Sequence, residues 1–552
     1  MAEKVINIYV GATSMRTCLG NKSETLVAMQ NGESGLRYCE EFSMYAGISK
    51  IKMIDGYTRF ESMVIEQITD ILEQSEFSLS NSDTQLIIST TKGNIELLAN
   101  DCDNIAERAF LYTSAEIIAK HFHTCNKPIV ISNACISGVS AFVVAREMLI
   151  SRKVRNVIIV GCDTLCEFIT SGFASFKSIS PNPCKPYDAN RDGLTLGEAC
   201  GAVVLSVDEN NAEAPRVCLA GGAISNDANH ISGPSRTGDG LYYAIKNALI
   251  EAGVDSRDVG FVNTHGTATR YNDEMESKAV AWAELNDKPL NSFKGYIGHT
   301  LGAAGVVETI ICVEQLRQGY IFGTKNFQSS DTPHHLIVSA SQQSFDGDCC
   351  VKTASGFGGC NAAIVLDANI ERGAYMSSAR AIKETATYNL PNSDEAFPEF
   401  IRSAYKALGE SNMKFYKMSD MCKALYVAVE RLLVNSGLEN IEQNRRAIVL
   451  SNRSASLDAD IAHQQILNQH LPEGASPAAF VYTLANVAAG EICIRHKIQG
   501  DNTFFIENED SGVAERYACS LIANNKADAV ICGWCEYLKG NWNVNIKLLK
   551  NN

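Results

Sequence analysis

The sequence predicts an α/β fold in which short buried strands alternate with helices around a largely buried sheet. Runs such as Ile129–Ile131 and Val157–Gly161 are rich in β-branched residues and too short to be helices. Between such runs, segments such as Thr58–Leu72 repeat their apolar residues at helical spacing. Strands and helices that alternate along a chain are typical of layered α/β proteins, whose sheets are covered on both faces.

The other predicted elements, taken in order, follow the same alternation. Further strands are predicted at Val5–Val10, Gln85–Ser89, Gly193–Val207, Arg216–Ile224, Gly260–Thr264 and Val351–Leu366. Further helices are predicted at Ser114–His121, Leu241–Ala252 and Val306–Gln318. With 552 residues, of which 45% are apolar, the chain is long enough for roughly two to four domain-sized units.

Composition excludes several classes of function. Met1–Val10 resembles a first strand rather than a signal peptide, and no uncharged apolar stretch approaches the ~20 residues that cross a bilayer. The 19 cysteines are scattered, which favours reduced thiols over a disulfide framework. A net charge of −15 argues against a nucleic-acid partner, because phosphate binding needs a basic face. We therefore expect a cytoplasmic protein without membrane insertion.

The stretch Pro128–Phe142 carries the first chemical signal. Its apolar strand stops at a small turn, and Cys135 then begins a segment with helical spacing. Backbone N–H groups and the helix dipole at such a junction favour the thiolate, which is the nucleophilic form of cysteine. The alternative is a packing role, since free cysteine is among the most buried residue types.

Three further stretches place a functional side chain in a loop rich in small residues. They are Asn263–Thr269 around His265, Lys294–Gly305 around His299, and Ser355–Asn361 around Phe357. Glycine lets a backbone approach a ligand closely and present its N–H groups. Either histidine alone would be explained best as a core residue. Two such histidines, a helix-start cysteine and a Gly-Phe-Gly-Gly turn together are much harder to explain by packing, and they indicate an active site.

The last third of the chain repeats part of the first. Residues 371–397 show no sustained periodicity and are predicted to be a linker. Beyond them, Phe504–Val513 parallels Val130–Val139, and in that register Glu509 takes the position of Cys135. We therefore expect a half that carries the nucleophile, a half that carries the histidine loops, the linker and a degenerate repeat, at residues 1–210, 211–370, 371–397 and 398–552.

These motifs together resemble the β-ketoacyl-acyl-carrier-protein synthases, the condensing enzymes of the thiolase fold. The resemblance covers about Met1–Asp367 and includes Asn31–Leu36, Gly172–Ser180, Lys185–Glu198 and Asp227–His230 with Pro234. The family implies a five-layered α-β-α-β-α arrangement of two duplicated halves and a homodimer. It also implies that an acyl carrier protein delivers acyl and malonyl groups on its phosphopantetheine arm, with no other cofactor and no metal.

The resemblance also implies a division of roles. Cys135 would take the growing acyl chain as a thioester, and His265 and His299 would stabilise the enolate left when malonyl loses carbon dioxide. The backbone N–H groups of Cys135 and Phe357 would cover the tetrahedral oxyanion. Phe357 also resembles the family's gate, which moves aside after acylation.

Supporting residues follow from the same resemblance. Lys294 resembles the family lysine beside the histidines, and we expect it to pair with Glu276 and to orient the site rather than act as a base. Gly356 and Gly358 flank the gate residue. Asp273 has an equally good interpretation as a helix-start cap.

Three positions depart from the family pattern without removing a catalytic group. Ile136 follows the nucleophile where many relatives have a smaller residue, Ala268 replaces a glycine, and Ser355 replaces an aromatic residue. These departures bear on the preferred acyl chain length rather than on the reaction.

Residues 398–552 resemble only the first half of a ketosynthase. Ser476–Phe480, Thr483–Asn486 and Gly490–Arg495 match the run that precedes the nucleophile in that family. Glu509 cannot form an acyl thioester, and no second pair of histidine loops follows. We expect a degenerate half, similar to a chain-length factor, that serves as a docking element or shapes the pocket of the unit that carries Cys135 and the histidine loops.

The leading functional prediction is decarboxylative Claisen condensation of an acyl primer with malonyl, in fatty-acid, polyketide or polyene synthesis. A thiolase should carry a second cysteine in a Cys-x-Gly motif, whereas Cys360 leads into Asn361. A papain-like hydrolase lacks any sign of a cleavage substrate. A non-catalytic carrier-binding subunit is a third alternative, which the intact Cys135, His265 and His299 disfavour.

Overall fold

The computed structural model describes residues 6–75, 77–102, 104–372, 380–409, 411–469 and 475–551. Val5, the first residue of a predicted strand, lies outside these ranges. The first half of the N-terminal unit contains nine strands in its described part: β1 (Tyr9–Thr17), β2 (Gly20–Asn21), β3 (Arg37–Cys39), β4 (Met44–Gly47), β5 (Thr84–Ser89), β6 (Ile129–Ile131), β7 (Asn156–Asp163), β8 (Leu196–Gly197) and β9 (Ala199–Ser206). Its helices are α1 (Lys22–Gln30), α2 (Arg59–Glu73), α3 (Leu111–His121), α4 (Ser137–Ile150) and α5 (Glu167–Ser175). The main sheet has the order β6-β5-β7-β9-β1.

The second half of the N-terminal unit has its own sheet, in the order β10-β17-β16-β11-β12-β14. Its strands are β10 (Cys218–Asn226), β11 (Val259–Asn263), β12 (Pro289–Asn291), β13 (Tyr320–Ile321), β14 (Ile337–Val338), β15 (Gln343–Ser344), β16 (Cys349–Gly356) and β17 (Cys360–Asp367). Its helices are α6 (Asp239–Ala252), α7 (Arg270–Trp282), α8 (Lys294–Ile297) and α9 (Ala304–Gln318).

The two sheets enclose a central helical layer. Helices α4 and α9 pack between the sheets, α2 covers the outer face of the first sheet, and α6 and α7 cover the second. Every residue of α4 except Met148 is buried, and its two charged residues, Arg146 and Glu147, form ion pairs with Glu251 and Lys526. The N-terminal unit therefore has the predicted five-layered α-β-α-β-α thiolase fold.

The C-terminal half repeats the first sheet. Its strands are β18 (Ile382–Asn389), β19 (Arg446–Asn452), β20 (Asn502–Ile506), β21 (Ala529–Leu538) and β22 (Asn541–Asn551). Its helices are α10 (Phe397–Lys406), α11 (Asp420–Leu432), α12 (Leu457–Asn468), α13 (Pro477–Val481), α14 (Val487–His496) and α15 (Val513–Ala523). The order β20-β19-β21-β22-β18 matches β6-β5-β7-β9-β1 strand for strand. Within the described ranges, no helix combines the length and apolarity needed to cross a bilayer.

The predicted linker at 371–397 is wrong in part. Ile382–Asn389 forms the edge strand β18, which pairs antiparallel with β22. Most of its side chains are exposed, because an outer edge strand buries little surface, and this explains its weak hydrophobic pattern. The linker residues 373–379 lie outside the described ranges.

The two half-sheets join edge to edge within one chain. Strand β6 pairs antiparallel with β20, with Phe505 opposite Ile131 and Ile506 opposite Val130. One sheet therefore continues from β1 through the junction to β18. The family resemblance implies a homodimer, but both edges of β6 are paired within this chain, by β5 and β20. A second copy of the chain therefore could not pair with β6 and would have to contact a different surface.

The Asn133 side chain ties the two halves together beside this strand pair. It donates to the Asn502 carbonyl at 3.1 Å and accepts from the Phe504 N–H at 2.9 Å. Asn133 is fully buried, so its removal would leave two backbone groups without a partner in a dry environment.

We predict that Asn133→Ala lowers the free energy of unfolding by about 3 kcal/mol, since each buried group that loses its partner costs roughly 1–3 kcal/mol. Urea unfolding monitored by tryptophan fluorescence would measure the change. The matched control is Asn508→Ala, at an exposed position in the same region, for which we expect a change below about 0.5 kcal/mol. Equal stabilities of the two variants would contradict the role assigned to Asn133.

Candidate active site

Cys135 lies in a sharp turn between β6 and α4. Ala134, directly before it, has a left-handed backbone with φ +48°, and this turn directs the chain from the sheet edge into the central helix. The Asn133 N–H donates to the Ser137 hydroxyl at 2.8 Å, which fixes the turn. Cys135 is 7% exposed and faces a cavity. The structure thus places it at the predicted helix start.

The surroundings of Cys135 do not favour the thiolate in the resting protein. Burial raises the pKa of the Cys135 thiol to about 12, although the Lys294 charge and the backbone N–H groups of Cys135 and Phe357 act in the lowering direction. Burial of the sulfur therefore acts against the thiolate, in opposition to the effect expected of the helix start. Both of these N–H groups lie close to the sulfur, as the predicted oxyanion site requires.

His265 and His299 meet at the cysteine. The Nε2 atom of His299 lies 3.0 Å from the Cys135 sulfur, and the two imidazole rings are 5.0 Å apart and nearly perpendicular. Burial, followed by the Lys294 charge, holds the pKa of each histidine well below its ordinary value. Both rings are therefore neutral near pH 7 and can each donate one N–H hydrogen bond.

Lys294 is buried beside the histidines, but its predicted partner is wrong. Its Nζ atom pairs with Glu308 at 2.8 Å, and Glu308 also pairs with Lys352 at 2.6 Å. Glu276 instead accepts the backbone N–H groups of His265 and Gly266 at 2.8 and 2.7 Å. Glu276 therefore shapes the His265 loop, a role that its spacing from the histidines alone does not reveal.

The other predicted residues, Asp273, Gly356 and Gly358, affect the shape of the backbone around the site. Asp273 accepts the Tyr187 N–H at 2.8 Å inside the first turn of α7, where Thr269 holds the cap position, so Asp273 is not the cap. Gly356 lies so close to the backbone of Cys135 that an added Cβ would stand 3.1 Å from the Cys135 nitrogen. Gly358 has φ +91°, which favours glycine.

Phe357 closes the inner side of the site. Its ring stacks on Phe173 and Phe176, with ring centres 5.9 and 5.2 Å away. Its carbonyl accepts a 2.8 Å hydrogen bond from Asn486 of the C-terminal half. Phe480 of the same half packs on Phe173 with ring centres 5.4 Å apart, so the repeat contributes directly to the packing around Phe357.

Sequence reasoning missed Asp163, Glu308 and Lys352. Asp163 ends β7, is buried, and accepts hydrogen bonds from Thr90, Thr91 and the Gly302 N–H, which ties the His299 loop to the first sheet. All three residues share one sequence feature that could have revealed them. Each is a single charged residue within, or directly after, an otherwise apolar segment. A charge that remains in such a segment must find a partner.

The cavity above Cys135 has a volume of about 240 Å³. Cys135, His265 and His299 line it together with Pro234, Thr267, Thr269, Tyr271 and Met275, among others. The donor atoms of Cys135, His265 and His299 lie within 4.8 Å of one another, a spacing that suits a zinc ion. The buried Lys294 ammonium group opposes a cation there by charge repulsion.

The surroundings of Glu509, which takes the position of Cys135 in the repeat, differ from those of Cys135. Glu509 is exposed and pairs with the exposed Lys127 at 2.8 Å. It has no enclosing histidine pair among the described residues, in contrast to Cys135. The C-terminal half therefore presents a surface turn where the N-terminal unit presents its site.

Both the N-terminal unit and the C-terminal half match domain models of one protein family. The beta-ketoacyl synthase N-terminal domain matches residues 47–211 and again residues 381–544. The C-terminal domain of the same family matches residues 217–328. The two matches to the N-terminal domain together cover more than half of the chain.

Individual relatives are moderately similar. The chain is 28% identical over 404 residues to 3-oxoacyl-[acyl-carrier-protein] synthase 2 of Mycobacterium leprae, an alignment that spans 65% of this chain and 96% of the relative. It is 33% identical over 231 residues to a putative mitochondrial 3-oxoacyl-[acyl-carrier-protein] synthase of Schizosaccharomyces pombe. That alignment spans 38% of this chain and 54%, or about half, of the relative's length.

Solved structures show the same fold. The PfaC Keto synthase-Chain length factor structure superposes with a TM-score of 0.81 at 14% identity and covers 99% of this chain and 78% of that one. The ketosynthase ApeO, in complex with its chain length factor ApeC from Xenorhabdus doucetiae, gives a TM-score of 0.59 at 24% identity, over 66% of this chain and 98% of that one. By fold and by family match, this chain belongs to the β-ketoacyl synthase family, with the family's N-terminal domain present twice.

Proposed function

We propose that the protein is a β-ketoacyl-acyl-carrier-protein synthase, which condenses an acyl primer held on Cys135 with malonyl held on a carrier protein. One observation carries the proposal. The thiol of Cys135, the Nε2 atom of His299 and the ring of His265 converge at the base of a cavity, with two backbone N–H groups beside the sulfur.

In the first step the Cys135 sulfur attacks the carbonyl carbon of the acyl thioester. The carbon–sulfur bond to the carrier breaks, and the thiol proton passes to the departing carrier thiolate. His299, whose Nε2 atom is 3.0 Å from the sulfur, is placed to relay that proton. A neutral thiol in the resting state suits this order, because the thiolate then forms only when the acyl donor has arrived.

In the second step malonyl thioester loses carbon dioxide. The bond to the carboxylate breaks, and the electron pair becomes an enolate, whose oxygen accepts hydrogen bonds from the neutral His265 and His299. The enolate carbon attacks the Cys135 thioester, and the N–H groups of Cys135 and Phe357 stabilise the resulting oxyanion. Collapse expels the Cys135 thiolate, which takes up a proton, and releases β-ketoacyl carrier.

The form of the cavity supports a carrier protein as the partner. Its wall contains Pro234, Thr267 and Thr269, and Tyr271 beside them is 76% exposed. A lined cavity that leads from an exposed residue to a buried thiol suits a long, flexible phosphopantetheine arm rather than a bulky substrate.

We assign the C-terminal half a pocket-shaping role. The ring of Phe480 lies against Gly172 of α5, where an added Cβ would stand 2.1 Å from it. Phe480 and Asn486 both contact the gate region from the repeat. Since the two halves share one sheet and one core, truncation would expose buried surface, and a point substitution is the sharper test.

We predict that Cys135→Ala abolishes the covalent acyl adduct, because alanine has no nucleophile. Intact-mass spectrometry after incubation with acyl carrier protein would detect the adduct on the native protein. Cys125→Ala, which removes an exposed cysteine, should keep it. Failure of the native protein to form an adduct with any of a panel of acyl carriers would favour the non-catalytic, carrier-binding alternative.

We predict that His265→Ala retains acylation of Cys135 but slows release of carbon dioxide from malonyl carrier about 100-fold, the usual effect of losing one oxyanion donor. Adduct formation by mass spectrometry and carbon dioxide release would be measured in parallel. His123→Ala is the control, because that histidine is exposed and remote in sequence from both loops. An equal loss of both steps would show that His265 does not act selectively on malonyl.

We predict that Phe480→Ala shifts the product distribution toward longer or bulkier acyl chains, since it removes a ring from the wall behind Phe357. Mass spectrometry of carrier-bound products would measure the shift. Phe400→Ala is the matched control, because Phe400 lies in the same half but stacks on Trp542. An unchanged distribution in the Phe480 variant would exclude the pocket-shaping role.

A further inference from the structure

Lys352 is a buried cation that the catalytic roles above leave unused. It lies in β16, five residues before Phe357, and its side chain is fully buried. Its Nζ atom pairs with Glu308 at 2.6 Å and donates to the Thr353 carbonyl at 2.7 Å. Burying an ammonium group is costly unless it is paired and hydrogen-bonded, so this lysine depends on both of these partners.

Glu308 is held by two lysines at once. One carboxylate oxygen binds Lys294 at 2.8 Å, and the other binds Lys352. All three side chains are at most 1% exposed. Within this cluster, two cations and one anion leave a net positive charge in a region of low dielectric. Lys352 lies opposite Asn263 in the sheet, two residues before His265.

The neighbouring carboxylates Glu276 and Asp163 form no ion pair with Lys294 or Lys352 within the described residues. Glu276 faces the cluster through Thr353, whose hydroxyl lies 3.4 Å from it, but its oxygens are occupied mainly by the N–H groups of the His265 loop. Asp163 lies on the other side, toward Cys135, and is held by backbone and hydroxyl donors.

We propose that Lys352 is a positioning residue that neutralises Glu308, so that the charge of Lys294 acts on His265 and His299 instead of being cancelled. Without Lys352, Glu308 and Lys294 would form a neutral pair. This inference rests on the proposed condensing function for its consequence, but the charge arrangement itself can be tested without turnover.

The electrostatics of the histidines agree with this assignment. After burial and Lys294, Lys352 is a further cause that lowers the pKa of both rings. Burial alone would raise the pKa of Glu308, yet Lys294 and Lys352 together hold it below its ordinary value. A cation near imidazole disfavours the protonated ring, so removing Lys352 should raise the pKa of both histidines.

The decisive experiment compares Lys352→Met with the double variant Lys352→Met/Glu308→Gln. Methionine has a similar length and leaves a neutral Lys294–Glu308 pair, whereas the double variant restores the single positive charge. Proton–nitrogen NMR of histidine-labelled protein would follow the titration of both rings, assigned by His265→Asn and His299→Asn. We expect a rise of about one pH unit in Lys352→Met and a return toward the native values in the double variant.

Activity supplies the second readout. We expect carbon dioxide release from malonyl carrier to fall about tenfold in Lys352→Met and to recover at least partly in the double variant. Lys383→Met, at an exposed position on β18, is the control. Unchanged histidine titration in Lys352→Met, or a double variant no closer to native, would each overturn the proposal. A native protein that neither acylates nor decarboxylates would refute the proposed function, and the titrations would still decide the role of Lys352.

Discussion

The antiparallel contact between β6 and β20 is the constraint on which the rest of the structure depends. It joins two half-sheets into one, and it lies directly before the turn that presents Cys135. Asn133 bridges the strands within two residues of Cys135. Since every backbone group at such a buried junction needs a partner, the position of the repeat and the shape of the turn at Cys135 are fixed together.

This contact gives the C-terminal half a structural role that needs no nucleophile. Its strand covers the β6 edge that would otherwise be an open template for pairing. Its residues Phe480 and Asn486 contact Phe173 and Phe357, which line the cavity above Cys135. The half is therefore part of the N-terminal unit's core and of its pocket wall, while Glu509 faces solvent on the surface.

Within the site, burial is the dominant electrostatic effect. It raises the pKa of Cys135 and lowers that of both histidines, so the resting site contains neutral groups beside a buried Lys–Glu–Lys cluster. Neutral imidazoles and backbone N–H groups form donors that need no reorganisation when negative charge develops on a substrate.

The sequence by itself determined the α/β class, the helix-start position of Cys135, the two histidine loops and the partial repeat, because these features are recorded in local periodicity and in short motifs. Local patterns could not show which buried carboxylate pairs with Lys294, because the pairing depends on how α8, which carries Lys294, lies against α9, which carries Glu308. They also could not show that β18 is a strand, because an exposed edge leaves little hydrophobic pattern. The state of the Cys135 thiol and the pairing of the two halves were likewise decided by tertiary structure, since desolvation and edge pairing arise from residues hundreds of positions apart.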